Sequence, residues 1–438
     1  MQANAANDMK DVLAKALEKA RQLGAAAAKA GFHSSETTNC EFEAGRLKST
    51  GDQQKQGYNI TVLLNGRSAN VSGNRVEQLE TMVEEAITLA KLGSHAHFDA
   101  FPPPDDLREV KKWSDNTVGL TRERMIEACQ AMTDRLKDYD ADQMICASGT
   151  KTVARGLLLT SGGVNHESCH TSWSLGSYVQ RTRGTDMLFA HDARSWCDLN
   201  DFWAPETLAD RVIADVKNAE ETVAPPSGKV KAYVPPEMLA NLLYPVVIGI
   251  NGRNIAKGDS PLVNRIGERV LAPCFTVIDE PHIDFAPASA EMDGSGLPTR
   301  RHVIFDQGVL KMFLYDLDSA GLAKSEPTGN NGCRPYNIVV TPGSRPSDEL
   351  IAGIHEGLFI RYLTGFHTCN HRNGDFSCDL GLGYWIRNGE IVGRVKNAMV
   401  SGNIYDILNG NVELSSDTEY RGLLPHALVE GISLSSSN

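Results

Sequence analysis

The stretch Gly156-Leu157-Leu158-Leu159-Thr160-Ser161-Gly162-Gly163, followed by His166-Glu167-Ser168-Cys169-His170 and Thr171-Ser172-Trp173-Ser174-Leu175-Gly176-Ser177-Tyr178-Val179, decides how the N-terminal half folds. On a helix, the pentad would be a zinc-peptidase HExxH: positions i and i+4 share a face about 6 Å apart along the axis, and Glu167 would activate a metal-bound water. Its flanks do not support a helix. The Ser161-Gly162-Gly163 turn precedes it, and the residues after it are strand-favouring with no apolar i, i+3, i+4 stripe. On a strand, at ~3.3 Å per residue, His166 and His170 stand ~13 Å apart, too far to share an ion whose Zn–N bonds are about 2.0 to 2.1 Å. Trp173 also stands where a longer metzincin motif needs glycine. The pentad is therefore expected in a β-hairpin and without zinc.

Upstream, the pattern predicts a helix over Met9 to Ala30, strands over Thr38 to Lys48 and Gly57 to Leu64, a hairpin turn at Asn65-Gly66, and a helix over Val76 to Leu92. The segment 101–106, Phe101-Pro102-Pro103-Pro104-Asp105-Asp106, reads as a linker. Thr121 opens another helix. Downstream, a helix over Pro205 to Thr222 leads into Ala224-Pro225-Pro226-Ser227-Gly228, the expected boundary between a domain at 1–223 and one at 224–438. A strand at Lys229 to Val234 and a helix opened by Pro235-Pro236 follow. Hairpins are expected around Gln307-Gly308 and Asn388-Gly389, with one helix at Ser347 to Gly357 and a frayed end at Ser433 to Asn438. The expected fold class is α+β: an N-terminal α/β half and a C-terminal half rich in antiparallel strands.

Bulk numbers exclude several functions. The 438 residues carry 43 basic and 55 acidic side chains, net −12, so a phosphate-neutralising nucleic-acid surface is not expected. The nine cysteines are scattered without a CxxC pair, as in a reducing compartment. The N-terminus lacks the apolar core of a signal peptide, and Leu242 to Ile250 is too short to span a membrane. A cytoplasmic chain with no membrane and no nucleic-acid partner is the expectation. No GxSxG elbow or phosphate loop occurs. Cys169 and Cys369 have histidine neighbours but read as small buried hydrophobes rather than nucleophiles. Asp279, Glu280, Asp284, Glu291 and Asp293 read as a solvated connector between strands.

One further cluster holds ligand-type residues. His367, Cys369 and His371 alternate along what reads as an extended segment, so neighbours at i, i+2 would reach one ion, with His355, Asp375 or Cys378 completing a tetrahedral site. These three are the candidate metal residues, zinc the candidate ion, and a structural hairpin at Asn373-Gly374 the alternative. No catalytic residue is assigned.

In order and spacing, Gly258-Asp259-Ser260, Ile278-Asp279-Glu280-Pro281, Met292-Asp293-Gly294-Ser295-Gly296, Phe305-Asp306-Gln307-Gly308-Val309-Leu310, Gly374-Asp375-Phe376-Ser377 and Ile386-Arg387-Asn388-Gly389-Glu390-Ile391 resemble the TldD/PmbA family, whose name also includes "modulator of DNA gyrase". The N-terminal helices and the Gly57 to Arg67 hairpin fit it too. In the TldD branch an HExxxH zinc motif follows a Leu-Leu pair on the helix after the boundary. Here Leu242-Leu243 are followed by Tyr244, Pro245 and, at the second histidine position, Gly249. None has a side chain that ligates zinc or activates its water. The resemblance thus implies the PmbA/TldE-like branch: a non-catalytic subunit, a pseudoenzyme in proteolysis. Such a chain would pair as a dimer with a TldD-like zinc metalloprotease and guide unfolded or leader peptides to it. Two alternatives stand beside that expectation: a self-sufficient metallopeptidase with an atypical metal site, and a homodimeric peptide-binding protein. The histidines of the pentad and of the 367–371 cluster depart from the family pattern.

Overall fold

The computed structural model describes residues 3–199, 203–419 and 423–436. The N-terminal half contains α1 (Ala3–Gln22), β1 (Ala27–Glu43), β2 (Arg46–Leu64), β3 (Arg67–Gly73), α2 (Leu79–Ala90), β4 (Ser94–His95), α3 (Asp115–Val118), α4 (Arg122–Tyr139), β5 (Met144–Thr160), β6 (Asn165–Arg183), β7 (Asp186–Trp196) and α5 (Pro205–Asn218). The chain continues through β8 (Thr222–Val223), β9 (Gly228–Val234), α6 (Pro236–Gly249), α7 (Gly252–Ala256), β10 (Val277–Asp279), β11 (His302–Asp306), β12 (Val309–Leu310), α8 (Leu317–Ala323) and β13 (Ile338–Val340). It ends in α9 (Ser347–Ala352), β14 (Glu356–Thr364), β15 (Asp375–Arg387), β16 (Glu390–Val395), β17 (Ala398–Asn403), α10 (Ile404–Asn409), β18 (Val412–Glu419) and β19 (Leu424–Ser436). This is an α+β fold.

The first sheet has seven strands in the order β4-β3-β2-β1-β5-β6-β7, all neighbours antiparallel. Its long central strands outlast any one helix pair, and the period of two assigns the even positions of β1 to one face. Ala28, Ala30 and Phe32 pack under α1 and α2 with Ile60, Val62 and Leu157. Cys40 and Phe42 pack under α4 and α5 with Met132, Trp173 and Val212. Between the two helix pairs, Ser34, Glu36 and Thr38 line an open polar groove with Gln54, Trp113 and Arg155. In the C-terminal half, an eight-stranded sheet runs β14-β9-β19-β17-β15-β16-β8, with β18 also on β19, and a four-stranded sheet runs β12-β11-β10-β13. The core around α6 joins them. Leu382 and Tyr384 of β15 lie in the same core as α4 and α5, so the two halves share buried surface. Thr222 and Val223 already pair with Arg394 and Val395 of β16, in the C-terminal sheet.

Several expected elements differ in extent. The helix predicted to reach Ala30 stops at Gln22, because Gly24 turns the chain at φ +91° and the alanines after it enter β1. Ala28 and Ala30 pair with Val62 and Ile60, and burial against the helices overrides alanine's helix preference. The single strand predicted at Thr38 to Lys48 is broken by a turn at Ala44 and Gly45, φ +49° and +70°. The helix predicted to Gly357 ends at Ala352, and Glu356 starts β14. Ser433 to Ser436, read as frayed, belong to β19 and pair with Ser401 to Ala398; residues 437 and 438 lie outside the described residues. The hairpin turns at Asn65-Gly66, Gln307-Gly308 and Asn388-Gly389 all carry positive φ at both residues, as a two-residue turn between twisted strands requires. Among the described residues, no helix is long and apolar enough to cross a membrane.

Candidate functional site

Helix α6 forms because Pro235-Pro236 presets its first turn and Met238, Leu239, Leu242, Leu243 and Val246 bury one stripe. Pro245 sits inside it, removing one helical N–H. The Tyr405 hydroxyl of α10 donates to the Pro245 carbonyl at 3.2 Å, and Ser260 Oγ donates to the Gly249 carbonyl at 2.6 Å. Tyr405 is boxed in. A Cβ on Gly374 would lie 2.8 Å from its Cδ2, and a Cβ on Gly249 would be closer than van der Waals contact to its Oη and 3.0 Å from Leu262 Cδ1. The three positions singled out from sequence are thus an exposed tyrosine ring, a proline and a glycine against which a tyrosine is packed.

The 367–371 cluster lies beside this helix but is not extended. Gly365, at φ +83°, opens a 3-10 turn over Phe366–Thr368, whose Thr368 N–H and Oγ1 both donate to the Gly365 carbonyl. That turn rotates successive side chains apart. His367 faces solvent. Cys369 Sγ lies 3.0 Å from Cys378 Sγ of β15. His371 packs edge-on against Tyr244, centroids 5.0 Å apart at 82°, and beside Phe366 at 5.5 Å; neither of its ring nitrogens meets a hydrogen-bond partner among the described residues. The alternation expected for His367, Cys369 and His371 is therefore corrected: local turn hydrogen bonds, invisible to a period-two reading, send the three in different directions. Among the described residues no three His, Cys, Asp or Glu side chains form a metal-holding group. Asp375, considered as a fourth ligand, instead accepts from Asn373 and Asn403 at 2.7 Å each.

The His166 to His170 pentad is in β6, paired residue by residue with Leu158 to Ala154 of β5, as its flanks predict. His166 Nε2 lies 3.8 Å from Glu291 Oε2, and burial, with the Lys112 charge adding to it, lowers the His170 imidazole from its usual range. Cys169 is exposed, with the Arg155 guanidinium 3.4 Å from its sulfur.

The carboxylates read as a solvated connector are only partly so. Asp279 is 0% exposed: Asn330 Nδ2 donates to one oxygen at 2.6 Å and the Tyr336 N–H to the other at 2.7 Å. Asp293 is 3% exposed and holds its own loop by accepting from the Ser295 and Leu297 N–H groups. Lys29 of β1 donates to the Gly294 carbonyl at 2.6 Å, tying the two halves of the molecule, and burial pushes its amine down. Nothing in the spacing of these acids reveals their burial; the neighbouring Gly294 and Gly296 are the available signal, since a loop held against other chain segments needs them. Burial pushes the Asp279 carboxyl up to about 7, against the hydrogen bonds from Asn330 and Tyr336. A raised acid binds its proton more tightly when folded. Its stabilising contribution is complete below about pH 4, the unfolded value, and is lost as pH rises through about 7. Urea denaturation of the protein and of Asp279→Asn between these pH values is expected to show a decline, on the order of a few kcal/mol, that the variant lacks.

Residues 227–436 match the PmbA/TldA metallopeptidase C-terminal domain and residues 28–90 match domain 1 of the same metallopeptidase. The chain belongs to the PmbA/TldD family. Its relatives include an uncharacterized protein of Methanocaldococcus jannaschii, 26% identical over 84% of this chain and 86% of that protein. A metalloprotease of Methanothermobacter thermautotrophicus is 24% identical over 87% and 86%. The fold is that of the solved TldE from Thermococcus kodakarensis, with a TM-score of 0.87 at 20% identity over 97% of this chain and all of that one. Within this PmbA/TldD chain, α6, the 365–374 turn and the Asp279 and Asp293 loops fall in the C-terminal match, and Lys29 falls in the domain 1 match. The pentad, at 166–170, lies in neither.

Proposed function

We propose that this PmbA/TldD chain is a TldE/PmbA-like, non-catalytic subunit that guides unfolded or leader peptides to a TldD-like zinc peptidase partner in the cytoplasm, with its halves at 1–223 and 224–438 as separate units of that architecture. The carrying observation is at α6: Tyr244, Pro245 and Gly249 offer no zinc ligand, and Tyr405 occupies the space that a side chain on residue 249 would need. Relatives of both kinds support a pairing, since a TldD homolog and a PmbA homolog of Buchnera aphidicola are each 26% identical to this chain, over 169 and 172 residues. The nine free cysteines accord with a reducing compartment.

The test is reconstitution. The chain alone, purified without chelator, is expected to carry less than about a tenth of a zinc ion, because a real zinc site survives purification. Cleavage of an unfolded leader peptide is expected only after a chain with an intact HExxxH is added. His166→Ala and His170→Ala should leave the reconstituted rate unchanged, since both histidines lie on a strand far from α6's motif positions in sequence and role. Near one zinc per chain, with cleavage by the chain alone, would overturn the proposal.

A further inference from the structure

The histidine-rich turn at 365–374 has no part in the proposal above, yet it holds a second chemical feature. Cys369 is half-buried on the turn, Cys378 is 3% exposed on β15, and their sulfurs approach to 3.0 Å. That is closer than the ~3.5 to 4.0 Å at which non-bonded heavy atoms rest. The turn's backbone aims them at each other: Gly374 N–H donates to the Asn370 carbonyl, and Asn370 bridges Asp375, so the chain reverses between the two cysteines. We propose that Cys369 and Cys378 are a thiol oxidation site that forms a reversible disulfide, stapling the turn that carries His371 to β15 beside Tyr244. This inference does not depend on the chain's role in proteolysis.

The oxidant is a hydroperoxide. The Cys369 thiolate, the more accessible of the two, attacks the peroxide oxygen, breaking the O–O bond and becoming a sulfenic acid while hydroxide leaves and takes up a proton as water. Cys378 sulfur then attacks the sulfenic sulfur, the S–S bond forms, and hydroxide departs with the Cys378 proton as a second water. In sum, two thiols and one hydrogen peroxide give one disulfide and two waters. Burial and the adjacent Cys369 push Cys378 up to about 12, which keeps it a thiol until Cys369 has reacted. The molecule supplies its own control. Cys40 of β1 and Cys129 on the inner face of α4 lie 3.5 Å apart, but both are 0% exposed, out of reach of solvent oxidant.

Trypsin makes the site readable, because Arg372 separates the two cysteines. Peptides 362–372 and 373–387 each contain one of the nine. After treatment of the full chain with hydrogen peroxide and alkylation of remaining thiols, these two peptides are expected to appear joined, to separate with dithiothreitol, and to stay apart in Cys369→Ser. The peptides holding Cys40 and Cys129 should remain alkylated. Hydrogen exchange across 366–374 is expected to slow in the oxidised wild-type chain, which needs no variant to fold. Cys369 recovered as sulfinic acid with Cys378 alkylated, or both alkylated after peroxide, would overturn the proposal. So would cross-linking of Cys40 to Cys129 at the same rate, since that would show denaturation rather than a built site.

Discussion

Replacing Gly249 by alanine is expected to cost about 1 to 3 kcal/mol of stability, and the same replacement in a Tyr405→Phe background well under half of that. Helix propensity alone predicts the opposite sign, by less than the roughly 0.8 to 1 kcal/mol by which alanine exceeds glycine in a helix interior, because Gly249 is the last residue of α6. The steric term wins here. The new Cβ collides with the Tyr405 hydroxyl, which cannot swing away without leaving the Pro245 carbonyl or pressing on Gly374. Removing the hydroxyl relieves the collision, so the two changes are coupled and a double-mutant cycle in urea measures the coupling. The consequence for chemistry follows directly. Writing the zinc motif back as Tyr244→His, Pro245→Glu and Gly249→His should leave the chain without stoichiometric zinc, since an imidazole at 249 has no room. Adding Tyr405→Ala opens that room beside His371, whose ring nitrogens have no hydrogen-bond partner among the described residues, and the zinc content is expected to rise. Full occupancy in the triple variant with Tyr405 intact would show that α10 does not close the site.

What the sequence discloses and what it hides divide along physical lines. Period-two runs bounded by Gly or Asn-Gly turns placed β6, β15 and β16 and kept the HExxH pentad off a helix, because strand alternation and turn φ are local properties. Thr121 as an N-cap is local in the same way, its hydroxyl accepting from the Arg124 N–H at 3.2 Å. The failures are tertiary. Ala27 to Ala30 favour a helix in isolation and become a strand because two neighbouring strands and two helices claim them. His367, Cys369 and His371 looked like one ligand face because a 3-10 turn of three residues leaves almost no pattern. Asp279 and Asp293 looked solvated because the donors that hold them, Asn330, Tyr336 and the N–H groups of Ser295 and Leu297, declare nothing about burial from their spacing. The α6 positions were legible through resemblance to relatives, while the closure by Tyr405, 156 residues on from Gly249, was not.

Arg361→Ala is expected to be the most destabilising single change at the junction of the two halves, costing about 3 to 5 kcal/mol. Arg361 on β14 donates from Nε to Asp215 of α5 at 2.9 Å, and its Nη1 lies 3.7 Å from Glu237 of α6. Asp215 is 7% exposed, and its other oxygen accepts the Tyr384 hydroxyl of β15 at 3.0 Å. Asp192 of β7, pushed up by burial, is drawn back down first by the same guanidinium. Truncating the arginine therefore leaves buried Asp215 without its cation and leaves Asp192 with Arg211 as its nearest guanidinium, at 3.7 Å, and water cannot replace the lost cation at that depth. Arg361→Lys should recover little, because a single ammonium cannot face Asp215, Asp192 and Glu237 with the same planar fork. The replacement of both partners, Arg361→Met with Asp215→Leu, should recover more than lysine does, since the acid that Arg361 hydrogen-bonds is then gone and Asp192 keeps Arg211 at 3.7 Å. Urea denaturation at two ionic strengths completes the test. A loss that stays the same between low and high salt fits a pair shielded from solvent, whereas one that shrinks with salt would place the interaction at the surface and remove it as the fastening between the halves.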